Sequence, residues 1–291
     1  AFLGRTTKFL TLNANPTLAY KIAPGVTIGA GVQIEWGRGK LQFALPGTNP
    51  SLPGPLSAQF KGDDWAFGAT AGIMIEPAAG TTIGIGYRSR LNHNLDGTFR
   101  SFAATPSGPV AFALDASAEV NLPDIVTASF RQELSSNARL LGTVEWSNWS
   151  RFEKLALTPV GLTIDAHWSD GWFFSLGGEY DYTPGLTLRG GLAYEISPVD
   201  DPTKRFTTIP DSDRIWLNIG ASYKYSEWTT IDVAYSHIFL KDEGFARHPA
   251  TAATPFVGDV ESDIDLISIG VRSKLDWLFD GRTMADAAPL K

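Results

Sequence analysis

The chain alternates about eleven amphipathic segments with connections of two sharply different lengths. The tight connections lie at Ala23-Pro24-Gly25, Pro77-Ala78-Ala79-Gly80, Leu134-Ser135-Ser136-Asn137, Thr183-Pro184-Gly185 and Tyr225-Ser226-Glu227. The long, polar connections lie near residues 46–62, 96–109, 158–169, 198–211 and 242–259. A meander with its short turns at one end and its long loops at the other is typical of an outer-membrane β-barrel. In such a barrel, apolar side chains point outward to lipid and polar side chains face the lumen.

The segment 26–36 shows the alternation most clearly. Its two faces carry Val26, Ile28, Ala30, Val32, Ile34 and Trp36 on one side, and Thr27, Gly29, Gly31, Gln33 and Glu35 on the other. A strict period of two over this length predicts a β-strand and not a helix. The same alternation recurs at residues 65–76, 186–195, 217–224, 230–239 and 267–274.

A soluble β-sandwich also alternates, but its polar face is the outside. Three patterns favour the barrel. The segments run for about 10 to 14 residues, against the ~5–6 of soluble sheets. The polar faces are rich in Gly and in charges of both signs, which suits a narrow lumen. Aromatic residues end the apolar faces, as a membrane-interface girdle requires, at Trp36, Trp65, Tyr87, Trp146, Tyr182 and Trp228. The sequence therefore predicts an all-β, antiparallel outer-membrane β-barrel.

Composition excludes two other classes of protein. Among the 291 residues, 43% are hydrophobic and the mean hydropathy is −0.05. No apolar run reaches the ~18 residues of a membrane-spanning helix. The net charge of −7 and the pI of about 5.1 argue against a nucleic-acid partner, which would call for a basic surface. The absence of cysteine fits a chain that crosses an oxidising periplasm.

The alternation assigns each side chain to a face. The side chains expected to face lipid are Leu188, Leu192, Leu217, Ile219, Val233 and Tyr235. Those expected to be enclosed are Arg189, Glu195, Lys224 and Asp232. An odd strand count is unusual for a single-chain bacterial barrel, and open edges would expose backbone groups to lipid. We therefore expect the first strand (residues 10–21) and the last (266–277) to be edges, separated by a gap of about three strands.

Six stretches occur in a specific order and spacing. They are Gly62-Asp63-Asp64-Trp65-Ala66-Phe67-Gly68 followed by Ala71-Gly72-Ile73, Tyr87-Arg88-Ser89-Arg90, Asn121-Leu122-Pro123-Asp124, Glu145-Trp146-Ser147-Asn148-Trp149-Ser150-Arg151-Phe152, Gly191-Leu192-Ala193-Tyr194-Glu195-Ile196-Ser197-Pro198-Val199, and Ile209-Pro210-Asp211-Ser212-Asp213-Arg214-Ile215-Trp216-Leu217. From about Leu10 to about Leu278, the chain resembles the FadL/TodX family of outer-membrane channels for long-chain fatty acids and aromatic hydrocarbons.

The resemblance implies a fourteen-stranded barrel plugged by an N-terminal hatch that carries an Asn-Pro-Ala motif. Only the last eleven strands match, so the hatch and the first three strands, with the kinked third strand that forms the lateral exit, are expected to be missing. Neither Asn15-Pro16-Thr17 nor Asn49-Pro50 is the hatch motif. The expected organisation is a partial barrel over residues 1–279 and a polar tail over 280–291. The sequence therefore looks like a fragment of a longer barrel.

The resemblance also implies a function. It predicts a passive channel in the outer membrane of a Gram-negative bacterium that takes up long-chain fatty acids or other small hydrophobic molecules. No cofactor, no metal, no catalytic residues and no nucleic-acid partner are expected. The expected partners are outer-membrane lipid and a fatty acid or aromatic hydrocarbon ligand, with a monomer once the barrel is complete.

A fatty-acid channel calls for a basic lumenal group that meets the carboxylate. The cations expected near the extracellular end are Arg38, Lys40, Arg88, Arg90 and Lys154. The alternative is that these cations pair with lumenal acids, because buried charges are normally paired. The acids available for such pairs are Glu35, Glu145, Glu179 and Glu195.

Several other interpretations stay open. Loop aromatic residues could collect cargo or simply pack the loops, at Phe99, Phe102, Phe112, Phe206, Phe245 and Phe256. Asp211, Asp213 and Arg214 are expected to cap a strand and pair internally rather than bind a cation. An outer-membrane hydrolase would need a nucleophile beside a histidine (His93, His167, His237 or His248), but the neighbours Ser236 and His237 point to opposite faces of a strand. A structural or adhesive barrel is a third class.

Overall fold

A computed structural model describes residues 4–45, 56–105, 108–247 and 256–274. The described segments are almost entirely β-strand, with one 3-10 turn at Trp149–Arg151. No helix in them is long and apolar enough to span a membrane. The strands are β1 (Gly4–Ala14), β2 (Thr17–Ala23), β3 (Val26–Leu45), β4 (Leu56–Ala78), β5 (Thr81–Arg88), β6 (Leu91–Thr105), β7 (Gly108–Leu122), β8 (Ile125–Glu133), β9 (Ala138–Ser147), β10 (Lys154–Thr158), β11 (Leu162–Asp165), β12 (Gly171–Thr183), β13 (Leu186–Ile196), β14 (Arg214–Lys224), β15 (Thr229–Leu240), β16 (Glu243–Arg247), β17 (Phe256–Val260) and β18 (Asp263–Ser273).

Three pairs of these strands are halves of one longer strand. β1 and β2 both pair with β3 and are separated at Asn15-Pro16, while β5 and β6 both pair with β4 and are separated at Ser89-Arg90. β7 pairs with β6 and β8 with β5, on either side of Pro123-Asp124. Proline interrupts a ladder because it has no N–H to donate. Apart from the short hairpins β10–β11 and β16–β17, the described residues therefore form eleven long antiparallel strands, the number that the sequence predicted.

The strands follow one another around the sheet, with tight turns at the five predicted places. The predicted long loop 96–109 is wrong over most of its length, and the predicted loop 46–62 is wrong at residues 56–62, which belong to β4; residues 46–55 lie outside the described residues. β3 and β4 stay paired from Val26↔Ile75 to Leu45↔Leu56, and β6 and β7 stay paired up to Thr105↔Gly108. The sheet continues beyond the membrane there because its inner face becomes apolar and packs into a core.

The predicted faces are confirmed for the apolar set. The six side chains expected to face lipid are all exposed, by 38% to 59%. Arg189, Glu195 and Asp232 are partly enclosed, as expected. Lys224 is exposed, so its prediction was wrong: it is the last residue of β14 and lies beside the turn, beyond the lumen. An outward Leu217 and Val233 are incompatible with a soluble sandwich.

The two ends of the sheet behave as edges. Within the described residues, β2 pairs only with β3 and β18 only with β15, and no ladder joins them. Every residue of β2 and of β18 is exposed. This agrees with the expected open sheet. Trp277, His248, the Asn49-Pro50 pair and the tail 280–291 lie outside the described residues.

The lipid-facing assignment makes a matched pair of predictions at the middle of β14. Ile219→Lys would place a charge in the hydrocarbon layer and should destabilise the protein in lipid by ~2–4 kcal/mol. Asn218→Lys adds the same side chain one residue away, on the lumenal face, and should cost far less. Urea unfolding from lipid vesicles measures both. Equal losses would mean that the two faces are not lipid and lumen.

Candidate functional site

The inner surface of the barrel changes from polar to apolar along β3. Because the β3–β4 register is unbroken, every odd-numbered residue of this strand faces inward. Gln33 and Glu35 are buried polar residues, whereas Phe43, four to five side-chain positions farther up the same face, is buried in an apolar core. The level at which polarity changes defines the candidate site.

An apolar cap lies above this level, on the inner face of the sheet extension and the adjoining loops. Its aromatic rings are in contact: the Phe152 and Trp168 centroids lie 4.8 Å apart, and those of Trp168 and Phe206 lie 5.5 Å apart. The buried members of the cap are Phe43, Ala58, Phe60, Leu95, Phe99, Ala116, Ala118, Phe152, Leu155, Leu157, Ala166, Trp168, Val199 and Phe206.

The loop between β13 and β14 contributes two members of the cap and is held from within. Arg205 is buried and donates hydrogen bonds to the carbonyl oxygens of Asp211 (2.8 Å) and Val199 (3.2 Å). At the exposed side of the loop, the Lys204 ammonium lies 2.8 Å from Asp200, and its hydrogen bond holds the pKa of that carboxyl below the ordinary value. The loop is therefore a folded lid element and not a loose connection.

A polar cluster lies directly below the cap and consists of Asn13, Gln33, Glu35, Arg88 and His93. The His93 Nε2 lies 3.1 Å from Glu35 Oε1, and the Asn13 amide donates to Glu35 Oε2 at 2.9 Å. The Arg88 Nε donates to Gln33 Oε1 at 2.5 Å. Gln33, Glu35 and His93 are buried against the wall, whereas Asn13 and Arg88 are exposed, so the cluster has a packed side and an open side.

Arg88 differs from the lumenal arginines Arg139, Arg189 and Arg272, each of which lies within 3 Å of a carboxylate. Its side-chain partner is the neutral amide of Gln33, and no carboxylate among the described residues lies within 4 Å of its guanidinium. The nearby Glu35 is already engaged by His93 and Asn13. Arg88 thus keeps hydrogen-bond donors and an uncompensated charge available to the lumen.

His93 was not predicted as part of the site. It occupies the alternate position between Leu91 and Leu95, all three of which are buried on the inner face of β6. It reaches β3 because Gly37 leaves room: a Cβ there would lie 2.9 Å from His93 Cε1. The alternation of 91, 93 and 95 could have placed this histidine inward, but its partners depend on the packing of three strands.

A charge network lines the lumen nearer the short turns. Glu179 lies between two guanidinium groups, with Arg139 Nε at 2.9 Å and Arg189 Nε at 2.6 Å. Arg139 also reaches Asp181 at 2.6 Å, and Arg272 pairs with Asp232 at 2.8 Å. These pairs neutralise the lumen wall, so Arg139 and Arg189 have little capacity left for a ligand.

The acids proposed as partners for the candidate cations pair with other groups instead. Glu35 contacts His93 and Asn13, and Glu179 contacts Arg139 and Arg189. Glu195 lies 3.6 Å from Arg214 and accepts a hydrogen bond from Trp216. Glu145 accepts one from Thr127 at 2.7 Å.

Two of the five candidate cations do not face the lumen at all. Arg38 and Lys40 are even-numbered residues of β3 and share the outer face with Trp36, over whose ring the Arg38 guanidinium lies at 4.8 Å. Arg90 and Lys154 are exposed, the first beside Asp124 and the second at the start of β10. Arg88 is exposed as well, but of the five it alone lies in the polar cluster.

The predictions for the loop phenylalanines and for the 211–214 segment have different outcomes. Phe99 and Phe206 belong to the cap, whereas Phe102 and Phe112 are exposed, Phe245 is half-buried, and the Phe256 side chain lies outside the described residues. The internal pairing of the 211–214 segment is confirmed: Asp213 accepts the Ser197 N–H at 2.9 Å, and Asp211 contacts Arg214. The described segments contain no group of three or more His, Asp or Glu residues arranged to hold a metal ion.

The geometry does not assemble a hydrolase centre around His237. Its Nδ1 lies 2.8 Å from Asp265 on the neighbouring strand, which resembles half of a triad. The adjacent Ser236 points to the opposite face, and the ring of Phe239 covers one side of the imidazole at 4.2 Å. The His237–Asp265 pair therefore receives no nucleophile from Ser236, the neighbour of His237 in sequence.

The chain matches one protein family and several of its curated members. A family model described as outer membrane protein transport protein (OMPP1/FadL/TodX) matches residues 1–275. A long-chain fatty acid transport protein of Escherichia coli O6:H1 is 28% identical over 287 residues, covering 87% of this chain and 64% of that protein. The outer membrane protein P1 of Haemophilus influenzae is 24% identical, covering 81% and 60%. The chain thus spans less than two thirds of the length of these curated relatives.

Solved structures share the fold. A Pseudomonas aeruginosa FadL homologue superposes with a TM-score of 0.84 at 23% identity, covering 92% of this chain and 68% of that one. The toluene transporter TodX of Pseudomonas putida superposes with a TM-score of 0.71 at 18% identity, covering 92% and 70%. Both likenesses establish the same outer-membrane barrel architecture.

The level of the cap depends on a close approach of two strands, which gives a testable prediction. Gly97 lies opposite Gly62, and a Cβ on Gly97 would lie 2.0 Å from the Lys61 carbonyl oxygen. Gly97→Ala should therefore force β4 and β6 apart and destabilise the protein by ~1–3 kcal/mol. Gly86→Ala is the control, because a Cβ there meets nothing within 4 Å. Urea unfolding midpoints compare the two, and equal midpoints would contradict the tight crossing.

Proposed function

The chain belongs to the outer membrane protein transport protein family (OMPP1/FadL/TodX), and from this we propose that it forms the wall of a passive channel that admits long-chain fatty acids or related apolar molecules through the outer membrane. In this proposal, the apolar cap takes up the hydrocarbon part of the cargo and Arg88 holds a carboxylate. The observation that carries the proposal is the order of the two surfaces along one inner face.

The chemistry of the two levels fits a molecule with one apolar and one anionic end. An apolar chain leaves water favourably wherever it can pack against the aromatic and aliphatic side chains of the cap. A guanidinium binds a carboxylate through two parallel N–H···O bonds, which fixes its orientation as well as its charge. Arg88 lies on the lumenal face of β5, beside Gln33, below the level of Leu95 and Phe43. A fatty acid that enters from the cap would meet this arginine next.

The names of the relatives support two kinds of cargo. One set consists of long-chain fatty acid transport proteins, and another consists of transporters or channels for toluene and monoaromatic hydrocarbons. Both cargoes are apolar, and only the first carries a carboxylate. The exposed guanidinium of Arg88 favours the first, because a neutral cargo lying against it would cover the charge without supplying a partner.

A non-enzymatic, passive mode follows from the same proposal. The cargo is neither cleaved nor coupled to an energy source, and its direction of movement is set by its gradient. Weak binding at successive levels then suffices for transport, since a cargo held too tightly at Arg88 would not leave. We also keep the expectation that the protein acts as a monomer.

Replacement of Arg88 tests the assignment. Arg88→Gln removes the charge and should weaken uptake of a long-chain fatty acid at limiting concentration by roughly tenfold, the loss of one charge-assisted hydrogen-bond pair. Uptake of a neutral hydrocarbon such as toluene should change by less than about twofold. Arg88→Lys should restore part of the fatty-acid uptake. The measurement is initial uptake of labelled cargo by cells that express each variant at equal surface level.

The matched control is Arg131→Gln. Arg131 also lies on the inner face of a strand, but it has an acidic partner, Glu133, at 3.2 Å and lies near the short turns. Its removal should leave the uptake of both cargoes unchanged. If Arg88→Gln lowers uptake of acid and hydrocarbon equally, Arg88 only supports the wall and the carboxylate assignment fails.

Deletion tests the transport function itself. A strain that lacks the gene should grow slowly on long-chain fatty acid as sole carbon source, and growth should return when the gene is restored. Wild-type growth and wild-type uptake of both cargo classes after deletion would overturn the transport proposal.

A further inference from the structure

Three lysines form one continuous row on the outer surface of the barrel. In the β1–β3 ladder Lys8 lies directly opposite Lys40, and in the β3–β4 ladder Lys40 lies directly opposite Lys61. Neighbouring strands are about 4.8 Å apart, so the row spans roughly 10 Å across three strands. All three residues share the face of Trp36, which is the outside of the wall.

A row of like charges is unfavourable unless an anion accompanies it. Like charges directly opposite each other on a sheet destabilise the pairing. No carboxylate in the described portion of the chain lies within 4 Å of any of the three ammonium groups, and the nearest acid on the same face, Asp63, is engaged at 3.9 Å by Arg38. Asp96 and Asp115 lie on this face too, but one and two strands beyond Lys61. The row therefore has the chemistry of an anion site whose partner comes from outside the protein.

The level of the row points to the source of that anion. Trp36 lies opposite Trp65 on the outer face, and Val32 and Phe67, below them, are exposed to lipid. Tryptophan pairs of this kind mark the membrane–water interface. Lys40 is four residues beyond Trp36, about 13 Å along the strand, or ~9–11 Å along the membrane normal at the usual tilt. The long-loop end of such a barrel is the extracellular end, so the row lies at the headgroups of the outer leaflet.

We propose that Lys8, Lys40 and Lys61 form a binding site for the phosphate of a lipid headgroup in the outer leaflet. The acyl chains of that lipid would lie along the apolar strip of Val32 and Phe67, beneath the tryptophan pair. Arg38, stacked on Trp36 between the lysine row and the apolar strip, would contact the lower edge of the headgroup. The site lies on the opposite surface of the wall from Arg88 and does not depend on the transported cargo.

The test uses the purified protein in neutral maltoside micelles and measures lipid binding by native mass spectrometry. The probes are diphosphorylated lipid A and the same lipid after enzymatic dephosphorylation. The phosphorylated lipid should bind, and the triple variant Lys8→Gln/Lys40→Gln/Lys61→Gln should bind it about 100-fold more weakly, at roughly fivefold per lysine near an anionic headgroup. The dephosphorylated lipid should bind weakly to both proteins. Conversion of the three lysines to arginine should preserve binding.

The matched control removes three lysines at the other end of the barrel. Lys21, Lys224 and Lys274 are exposed and lie beside the short turns, so their triple glutamine variant has the same net charge as the test variant. This control should bind the lipid within about twofold of the unmodified protein, because the effect of a basic residue on lipid binding falls off within a Debye length.

Three results would overturn the proposal. They are equal binding of the phosphorylated and dephosphorylated lipids, equal weakening by the two triple glutamine variants, and full displacement of the lipid by millimolar inorganic phosphate. The last result would identify a site for free phosphate rather than for a lipid. Urea unfolding of each variant establishes that it is folded, and the arginine variant decides between charge and structure if the glutamine variant is unstable.

Discussion

The unbroken backbone ladder between β3 and β4 determines what each surface of this protein does. Its 20 consecutive pairs, from Val26↔Ile75 to Leu45↔Leu56, contain no bulge, so side chains alternate strictly between lumen and exterior over the whole length. A strand of this length passes through three environments: hydrocarbon, headgroups and water. The same two faces therefore have to satisfy different solvents at different heights. The polar cluster, the apolar cap and the outer lysine row are three consequences of this one register.

The sequence predicted much of this because alternation is a property of the backbone and not of the solvent. The strand number, the turns and the outward positions of residues such as Leu217 and Ile219 all followed from a period of two. Arg38 and Lys40 were misplaced for a physical reason. A charge within the hydrocarbon layer must face the lumen, but above the tryptophan girdle the exterior is polar, and a charge can lie on either face. Because side chains two residues apart share a face, Arg38 and Lys40 lie on the same face as Trp36, and this alternation alone would have placed both outside.

The contacts within the site could not be read from the sequence because they join residues far apart in the chain. His93 meets Glu35 only because β6 follows β4 around the sheet and Gly37 leaves space for the imidazole. The extension of β6 and β7 was equally hidden, since its Gly and Pro residues resemble those of a loop. What stabilises that extension is the apolar inner face of Phe60 and Phe99, which packs against loop aromatic residues from elsewhere in the chain.

The separation of the two faces has a mechanical consequence. A single-residue insertion into β3 between Trp36 and Lys40 would turn every later side chain to the opposite surface. Lys40 would then enter the apolar cap without a partner, and Phe43 would leave it for the headgroup layer, so both changes oppose the slipped register. The lysine row and the cap thus fix the same register from opposite sides of the sheet. A third restraint on the register lies below the tryptophan girdle. If the slip extended downward, Gln33 and Glu35 would face hydrocarbon, so this part of the strand also opposes the slipped register.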